Sequence, residues 1–277
     1  MPASDSTVSP PAESFDPATA LARFSGQVAL VTGASDRGIG GAIAERLAAE
    51  GAQVVLAVRH EPKRLIKRLE RIGRGHLVTH CDVTNADEVR ATVESCIERF
   101  GRLDAVINNA GVEMAAKIDE FAETDWKALL DVNLNGAITT IQAALPKLTQ
   151  PGGVIVNVAS ALALGGCAGF SIYSASKAGM VGLTQSLAWE LAPRGVRIVA
   201  VAPAMVHTPM IHKHIEHLTP EAWAKIQACH PLGMGSPHDV AAAVAFLASH
   251  DARWITGVTL PLGFAGSFPL PTEPFLG

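Results

Sequence analysis

The sequence predicts an α/β fold, a doubly wound parallel seven-stranded sheet with helices on both faces, built as a single domain. Three observations carry this. Short apolar runs alternate with longer helical patterns from residue 27 to residue 262. The runs are apolar on both faces, as in a parallel sheet covered by helices. The alternation is continuous and contains no internal repeat, so it favours one domain of about 250 residues with right-handed crossovers.

The elements follow in order. A strand at 28–32 leads into a helix at 39–50. A strand at 54–58 precedes a helix at 63–72, and a strand at 76–80 precedes a helix at 86–100. A strand at 103–108 is followed by one or two helices over 125–148. A strand at 154–159 precedes a helix at 173–191, and another strand spans 196–202. A helical, loop-rich stretch covers 209–228. A helix at 237–250 and a last strand at 257–262 complete the pattern. The final residues, 267–277, hold three prolines and two phenylalanines and cannot continue a helix.

Composition narrows the function classes. The chain has 277 residues, 48% hydrophobic and 17% charged, with a net charge of −4. That apolar content supports a large core and excludes wholesale disorder. No basic excess points to nucleic acid or to an anionic membrane. Cys81, Cys96, Cys167 and Cys229 are far apart and form no C-x-x-C, so neither a zinc site nor a redox dithiol is signalled. Scattered reduced thiols fit a cytoplasmic protein. No apolar run approaches the length of a membrane span. Residues 1–24 are rich in Ala, Ser and Pro and read as a disordered arm, not as a signal or transit peptide.

The first strand ends in Thr32-Gly33-Ala34-Ser35-Asp36-Arg37-Gly38-Ile39-Gly40 and runs into a helix. Such a loop lets the backbone approach a pyrophosphate, which the helix N-terminus then receives. A dinucleotide site for NAD usually carries an acid after the second strand, on the ribose 2′-hydroxyl. Here that strand ends Ala57-Val58-Arg59-His60, without an acid. Arg59 and Arg37 suit a 2′-phosphate instead, since guanidiniums bind phosphate in bidentate fashion. The expectation is NADP(H) in preference to NAD(H). The alternative is two solvated surface arginines. Asp36 could repel the phosphate or orient Arg37.

With these features the chain resembles the short-chain dehydrogenase/reductase family over about residues 27–266, and the fold is then Rossmann-like. The glycine loop is similar to the family's T-G-x-x-x-G-x-G, with Gly33, Ser35, Asp36, Arg37, Gly38 and Ile39 as cofactor contacts. Asp82-Val83 resembles the pair at the adenine. Asn108-Asn109-Ala110-Gly111 matches N-N-A-G, and Asn133 corresponds to the active-site Asn. Ser160 closes the fifth strand, and Tyr173-Ser174-Ala175-Ser176-Lys177 is the Y-x-x-x-K. Pro203-Ala204-Met205-Val206-His207-Thr208 resembles P-G-x-V-x-T, with Ala204, Val206 and Thr208 beside the nicotinamide. There are three departures. Four residues separate Gly33 from Gly38 where the family commonly has three. Ala204 stands for a glycine, at little cost if its φ is negative. Leu262-Gly263-Phe264-Ala265-Gly266 replaces D-G-G.

Asn133, Ser160, Tyr173 and Lys177 are the expected catalytic set. Tyr173 and Lys177 share one helix face. A neighbouring ammonium favours the phenolate and lowers the tyrosine pKa, giving a general acid/base. Tyr173 is the chain's single tyrosine. Ser160 is expected to bond the substrate oxygen. By resemblance, Lys177 bonds the nicotinamide ribose, and Asn133 bends its helix and holds a water that links Lys177 to solvent. An enoyl reductase of the same superfamily would have a longer Tyr–Lys spacing and no such serine.

The resemblance implies a ketone reductase or secondary alcohol dehydrogenase, first for a 3-oxoacyl thioester, otherwise for a sugar, steroid or other secondary alcohol. The rival of another class is a non-catalytic NADP-binding regulatory protein. By resemblance, about 205–232 form a substrate lid, the chain assembles as a homotetramer or homodimer, and the tail at 267–277 is a candidate arm across a neighbouring subunit. His207, His212, His214 and His217 cluster in the lid, but their spacing supports no metal site.

Overall fold

A computed structural model describes residues 22–211 and 219–264. The arm up to residue 21, the tail at 267–277 and His212, His214 and His217 lie outside the described residues.

Seven strands form one sheet: β1 (Val28–Thr32), β2 (Gln53–Val58), β3 (His76–His80), β4 (Ala105–Asn108), β5 (Val154–Val158), β6 (Arg197–Pro203) and β7 (Thr259–Leu262). Their spatial order is β3-β2-β1-β4-β5-β6-β7, and every neighbouring pair is parallel. The order reverses beside β1, which pairs with β2 on one side and β4 on the other. In open α/β sheets the ligand crevice lies at the carboxyl ends of the strands flanking such a reversal.

The helices are α1 (Ile39–Ala49), α2 (Lys63–Ile72), α3 (Ala86–Phe100), α4 (Glu123–Leu130), α5 (Gly136–Ala144), α6 (Ser171–Leu191), α7 (Pro220–Ala228) and α8 (Pro237–Ala248). Strand residues alternate between two cores, as the pleat requires. Ala29 and Val31 of β1 pack with Ile43 and Leu47 of α1, Leu65 of α2 and Val244 of α8. Val28 and Leu30 pack on the other side with Val93 of α3, Ile141 of α5 and Leu191 of α6. Burial on both faces explains why the strands read as continuous apolar runs.

Several expected boundaries change. β4 starts at Ala105, because Leu103 makes an isolated bridge to Leu148 outside the sheet. The helical stretch expected at 125–148 begins at Glu123, passes through a π-helical turn (Asp131–Asn135) and ends at Ala144. α6 begins two residues before Tyr173, at Ser171. The expected arm also ends sooner, since Phe24 is buried in the core and Arg23 bonds the buried Glu50 at 2.6 Å.

Two helical glycines make a paired test. A Cβ on Gly41 would lie 1.9 Å from the Ser35 carbonyl oxygen, whereas one on Gly182 meets nothing within 4 Å. Gly41→Ala is expected to destabilise by roughly 1–3 kcal/mol through forced backbone displacement. Gly182→Ala, in exposed helix, should stabilise by roughly 0.5–1 kcal/mol. Urea midpoints measure both, and equal shifts would show that the glycine loop yields freely.

Candidate active site

The cleft is built on the junction of β1 and β4. The Thr32 hydroxyl accepts the N–H groups of Asn109 and Ala110, both at 3.0 Å. In return, Asn109 Nδ2 donates to the carbonyls of Thr32 at 2.9 Å and Gly33 at 3.1 Å. Gly33 has φ +70°, and a Cβ there would meet Ala110 Cα at 2.7 Å. Only glycine allows this approach.

The glycine loop then enters α1. Gly38 is its N-cap and makes no side-chain cap, so the first-turn N–H groups face the cleft. A Cβ on Gly40 would strike Asn109 Nδ2 at 2.3 Å. This bare helix terminus beside a glycine cradle fits a pyrophosphate.

Asp36 and Arg37 are not among the residues lining the cleft. Asp36 Oδ1 accepts the N–H groups of Arg64 and Leu65, both at 2.9 Å. It thereby caps α2, whose own N-cap residue, Pro62, makes no side-chain cap. Arg68 ties the same loop down by donating to the Asp36 carbonyl at 3.0 Å and to Glu45 at 2.8 Å. The Asp36 side chain is thus engaged as a helix cap outside the cleft lining, and Arg37 stands exposed.

Other expected cofactor residues, Gly33, Ser35, Gly38, Ile39, Arg59, Asp82, Val83, Asn109, Ala110, Gly111, Ala204, Val206 and Thr208, line one cleft of about 420 Å³ together with Ser160, Tyr173 and Lys177. Arg59 lies 3.9 Å from Asp82. Hydrogen bonds from Thr84, chiefly its backbone N–H, hold the Asp82 carboxyl below its usual range, with Arg59 adding to them. Ala204 carries no strain, since no described non-glycine residue has a positive φ.

The reactive end joins β5 to α6. Ser160 and Tyr173 line the cleft together, and the Ser160 Oγ accepts the Leu162 N–H at 3.2 Å. The Phe170 ring stands edge-on to Tyr173, with centroids 6.4 Å apart. Lys177, 4% exposed, donates to the Val158 carbonyl at 2.9 Å, and its Nζ lies 5.9 Å from the centre of the Tyr173 ring. Asn133 sits in the π-helical turn directly behind. Its Oδ1 accepts the Val112 N–H at 2.8 Å, and its Nδ2 donates to the Val112 carbonyl at 2.9 Å and to Ser176 Oγ at 3.1 Å. Asn133 itself does not line the cleft; it clamps the loop that does.

The electrostatics correct one expectation. Burial pushes the Tyr173 phenol up, as does the nearby Glu113 carboxylate, while the Ser160 hydroxyl pulls it down. Lys177 is itself pushed down to about 8 by burial. The four-residue spacing identifies the shared face but not this desolvation. Glu113 and Phe170, both lining the cleft, were not anticipated. The signal for Glu113 is its place just after Asn109-Ala110-Gly111, where a strand's carboxyl end opens into a loop.

On the far wall, Ala204 donates to the Leu262 carbonyl at 2.8 Å. The Met205 N–H donates to His230 Nε2 at 3.1 Å, and His230 Nδ1 pairs with the Ile226 carbonyl at 2.8 Å. Met205 N–H can only donate and the Ile226 carbonyl can only accept, so the buried ring is fixed as the Nδ1–H tautomer. Among the described residues there is no cluster of three or more metal-ligating side chains, and no helix long and apolar enough to cross a membrane.

The geometry is that of an α/β protein with a dinucleotide-shaped cleft at the sheet's carboxyl edge, lined by Ser160, Tyr173 and Lys177. A family model described as enoyl-(acyl carrier protein) reductase matches residues 33–262. The chain is 37% identical over 239 residues to a 3-oxoacyl-(acyl-carrier-protein) reductase of Thermotoga maritima, covering 85% of this chain and 95% of that one. It is 36% identical over 271 residues to a (−)-trans-carveol dehydrogenase of Rhodococcus erythropolis, covering 87% and 98%. A crystal structure of a short chain dehydrogenase from Burkholderia cenocepacia in complex with NADP superposes with a TM-score of 0.79 at 37% identity, covering 86% and 97%. The chain belongs to the short-chain dehydrogenase/reductase family of oxidoreductases, whose fold is the Rossmann-like sheet described above.

The Lys177 shift makes a stability prediction. Its folded pKa, about 8, lies below the ordinary lysine value of 10.5. Between those values the unfolded chain binds more protons, so the lysine's contribution to stability rises with pH, by about 1.4 kcal/mol per unit of separation when complete. Above about pH 9, the raised thiols of Cys81, Cys96 and Cys167 act in the opposite direction. Lys177→Met should therefore lose the gain that wild type shows from pH 7 to 9. Urea midpoints that track each other across this range would refute the shift.

Proposed function

We propose that this protein is an NADPH-dependent carbonyl reductase, acting in reverse as a secondary alcohol dehydrogenase. The observation that carries this reading is the convergence of Ser160, Tyr173 and Lys177 on one cleft, with Lys177 Nζ 5.9 Å from the centre of the tyrosine ring. When bound, the nicotinamide supplies or accepts the hydride at its C4. The residues do the rest. Tyr173 gives its proton to the substrate oxygen, and Ser160 positions that oxygen. Lys177 holds charge near the phenol and bonds the ribose. Asn133 fixes the loop behind them and, with Lys177, resupplies the proton through water. The Tyr–Lys spacing and Ser160 favour a carbonyl over an enoyl substrate.

NADP(H) is favoured over NAD(H), with Arg59 in the cleft and no acid at the tip of β2. The NADP complex of the Burkholderia relative supports the same choice. A 3-oxoacyl thioester is the first substrate to test, following the Thermotoga relative. The apolar wall formed by Leu162, Phe170, Met205, Met210 and Ile211, with the carveol dehydrogenase relative, favours, within the second reading of a sugar, steroid or other secondary alcohol, its apolar members over a sugar. The regulatory reading is disfavoured because Asn133, Ser160, Tyr173 and Lys177 are all present.

We place the enzyme in the cytoplasm as a homotetramer or homodimer, without a nucleic-acid, membrane or metal partner. Trp189 and Trp254 are 86% and 97% exposed in the single chain, which supports burial against another copy. The domain expected at 25–266 is proposed to take in Arg23 and Phe24 as well, with the lid at about 205–232 and flanking arms ahead of Arg23 and at 267–277.

The test follows NADPH oxidation at 340 nm with acetoacetyl-CoA. Tyr173→Phe should lower kcat by at least about a hundredfold while NADPH still binds. Wild type that binds NADPH without turning over this thioester or a panel of ketones and alcohols would support the regulatory reading instead. By fluorescence titration, Arg59→Met should weaken NADPH binding about tenfold or more and leave NADH nearly unchanged. Equal weakening of both would refute the 2′-phosphate assignment.

A further inference from the structure

From Arg59 to Arg74 the sequence holds seven Arg or Lys residues against two Glu, in a chain whose net charge is −4. Most of this positive charge rides on α2. Leu65 and Leu69 bury one stripe of that helix, while Lys63, Arg64, Lys67 and Arg71 stand exposed. Local rules oppose the pattern. The first turn carries Lys63 and no acid, at the end where the helix dipole favours anions. Lys63 and Lys67, Arg64 and Arg68, and Lys67 and Arg71 are like-charge pairs four residues apart, which destabilise a helix. Their acidic neighbours are Glu61, just ahead of the helix, Glu70 near its far end, and Glu45 of α1, which pairs with Arg68 at 2.8 Å. Natural sequences break such rules chiefly at functional sites.

The start of α2 is bolted to the glycine loop. Asp36 follows Ser35 and precedes Gly38, both of which line the cleft. Its Oδ1 accepts the backbone N–H groups of Arg64 and Leu65 at 2.9 Å, and Arg68 donates to its carbonyl at 3.0 Å. The first turn of α2 therefore lies at the rim of the cleft, beside the exposed Arg37 of the same loop. Lys63, Arg64 and Lys67 do not line the cleft, so their charge acts from outside it. Charges at such a rim reach an approaching anion over a Debye length of about 8–10 Å.

We infer that α2 is an electrostatic guide: Lys63, Arg64 and Lys67 speed the capture of a phosphate-bearing dinucleotide from solution and leave the bound complex unchanged. The guide presupposes the nicotinamide-dinucleotide reading of the cleft and goes beyond it, giving a kinetic role to residues outside the lining. Rim charges act on association and its salt dependence, whereas buried contacts act on dissociation. The field acts most on the most highly charged ligand. NADPH, whose 2′-phosphate adds about 1.5–2 negative charges, gains more from it than NADH does.

Stopped-flow fluorescence of NADPH and NADH binding tests this on the triple variant Lys63→Gln, Arg64→Gln, Lys67→Gln. That variant keeps Arg68 and the backbone N–H groups that Asp36 caps. At an ionic strength of about 0.01 M, where screening is weak, its association rate for NADPH should fall about tenfold or more. The rate for NADH should fall by less, and both dissociation rates should stay within about twofold of wild type. The difference in association should close as ionic strength approaches about 1 M. The urea midpoint of the variant should match or exceed that of wild type, since like-charge repulsion along α2 is relieved. An unchanged association rate overturns the inference, as does a loss that persists at high salt. A loss carried by dissociation also overturns it and makes these residues contacts of the bound dinucleotide. A lower urea midpoint overturns the claim that these cations are kept against local stability. Wild type that binds neither dinucleotide overturns the reading of the cleft and the guide with it. Slowed association together with tighter binding of NADH than of NADPH upholds the guide and overturns the NADP(H) preference alone.

Discussion

The site depends on the lock between Thr32 and Asn109. These residues end β1 and begin the loop after β4, the two strands that meet where the strand order reverses. Four hydrogen bonds of 2.9–3.1 Å close the junction from both sides. On one side it fixes Gly33 and the entry to α1. On the other it fixes Ala110, Gly111 and the loop that Asn133 grips next. The pyrophosphate cradle and the substrate wall are thus two ends of one rigid seam. That seam is set on strands buried on both faces, which move little.

Behind the seam, buried polar groups are joined in a chain. Asn108 donates to Asn157 and Asn157 to Thr184, both at 2.9 Å, linking β4 and β5 to α6. Thr184 lies two turns along α6 from Lys177, and Met180 between them touches the ammonium. Register along β4, β5 and α6 is pinned in this way, so Ser160 at the end of β5 and Tyr173 on α6 arrive in the lining of one cleft. Desolvation then raises the phenol and lowers the amine. The same burial thus acts on both groups, favouring the neutral phenol and the neutral amine.

The strands were legible because burial on both faces leaves a plain apolar signature, and Tyr173 and Lys177 were legible because helical spacing is strict. Other features depend on contacts that spacing does not encode. The π-helical turn at Asn133 lies inside one apolar pattern, and only its bonds to Val112 and Ser176 account for it. Asp36 reads as a phosphate neighbour in sequence. In the fold it caps α2 from 28 residues away, a role open to it because Pro62 makes no side-chain cap. The rise of the Tyr173 pKa needs the third dimension, since burial and Glu113 outweigh what one lysine on the same face suggests. Glu113 follows a recognisable motif but belongs to none, and only the cleft gives it meaning.

The central claim is that this seam delivers hydride to a carbonyl carbon while Tyr173 supplies the proton. The most direct measurement uses NADPH dideuterated at C4 with a panel of ketones and hydroxyketones, with the products read by mass spectrometry and NMR. The account predicts one deuterium on the new carbinol carbon, a solvent-derived proton on its oxygen, and loss of this product in Tyr173→Phe. NADPH oxidation with no label in the product, or the labelled alcohol formed undiminished by Tyr173→Phe, would contradict it.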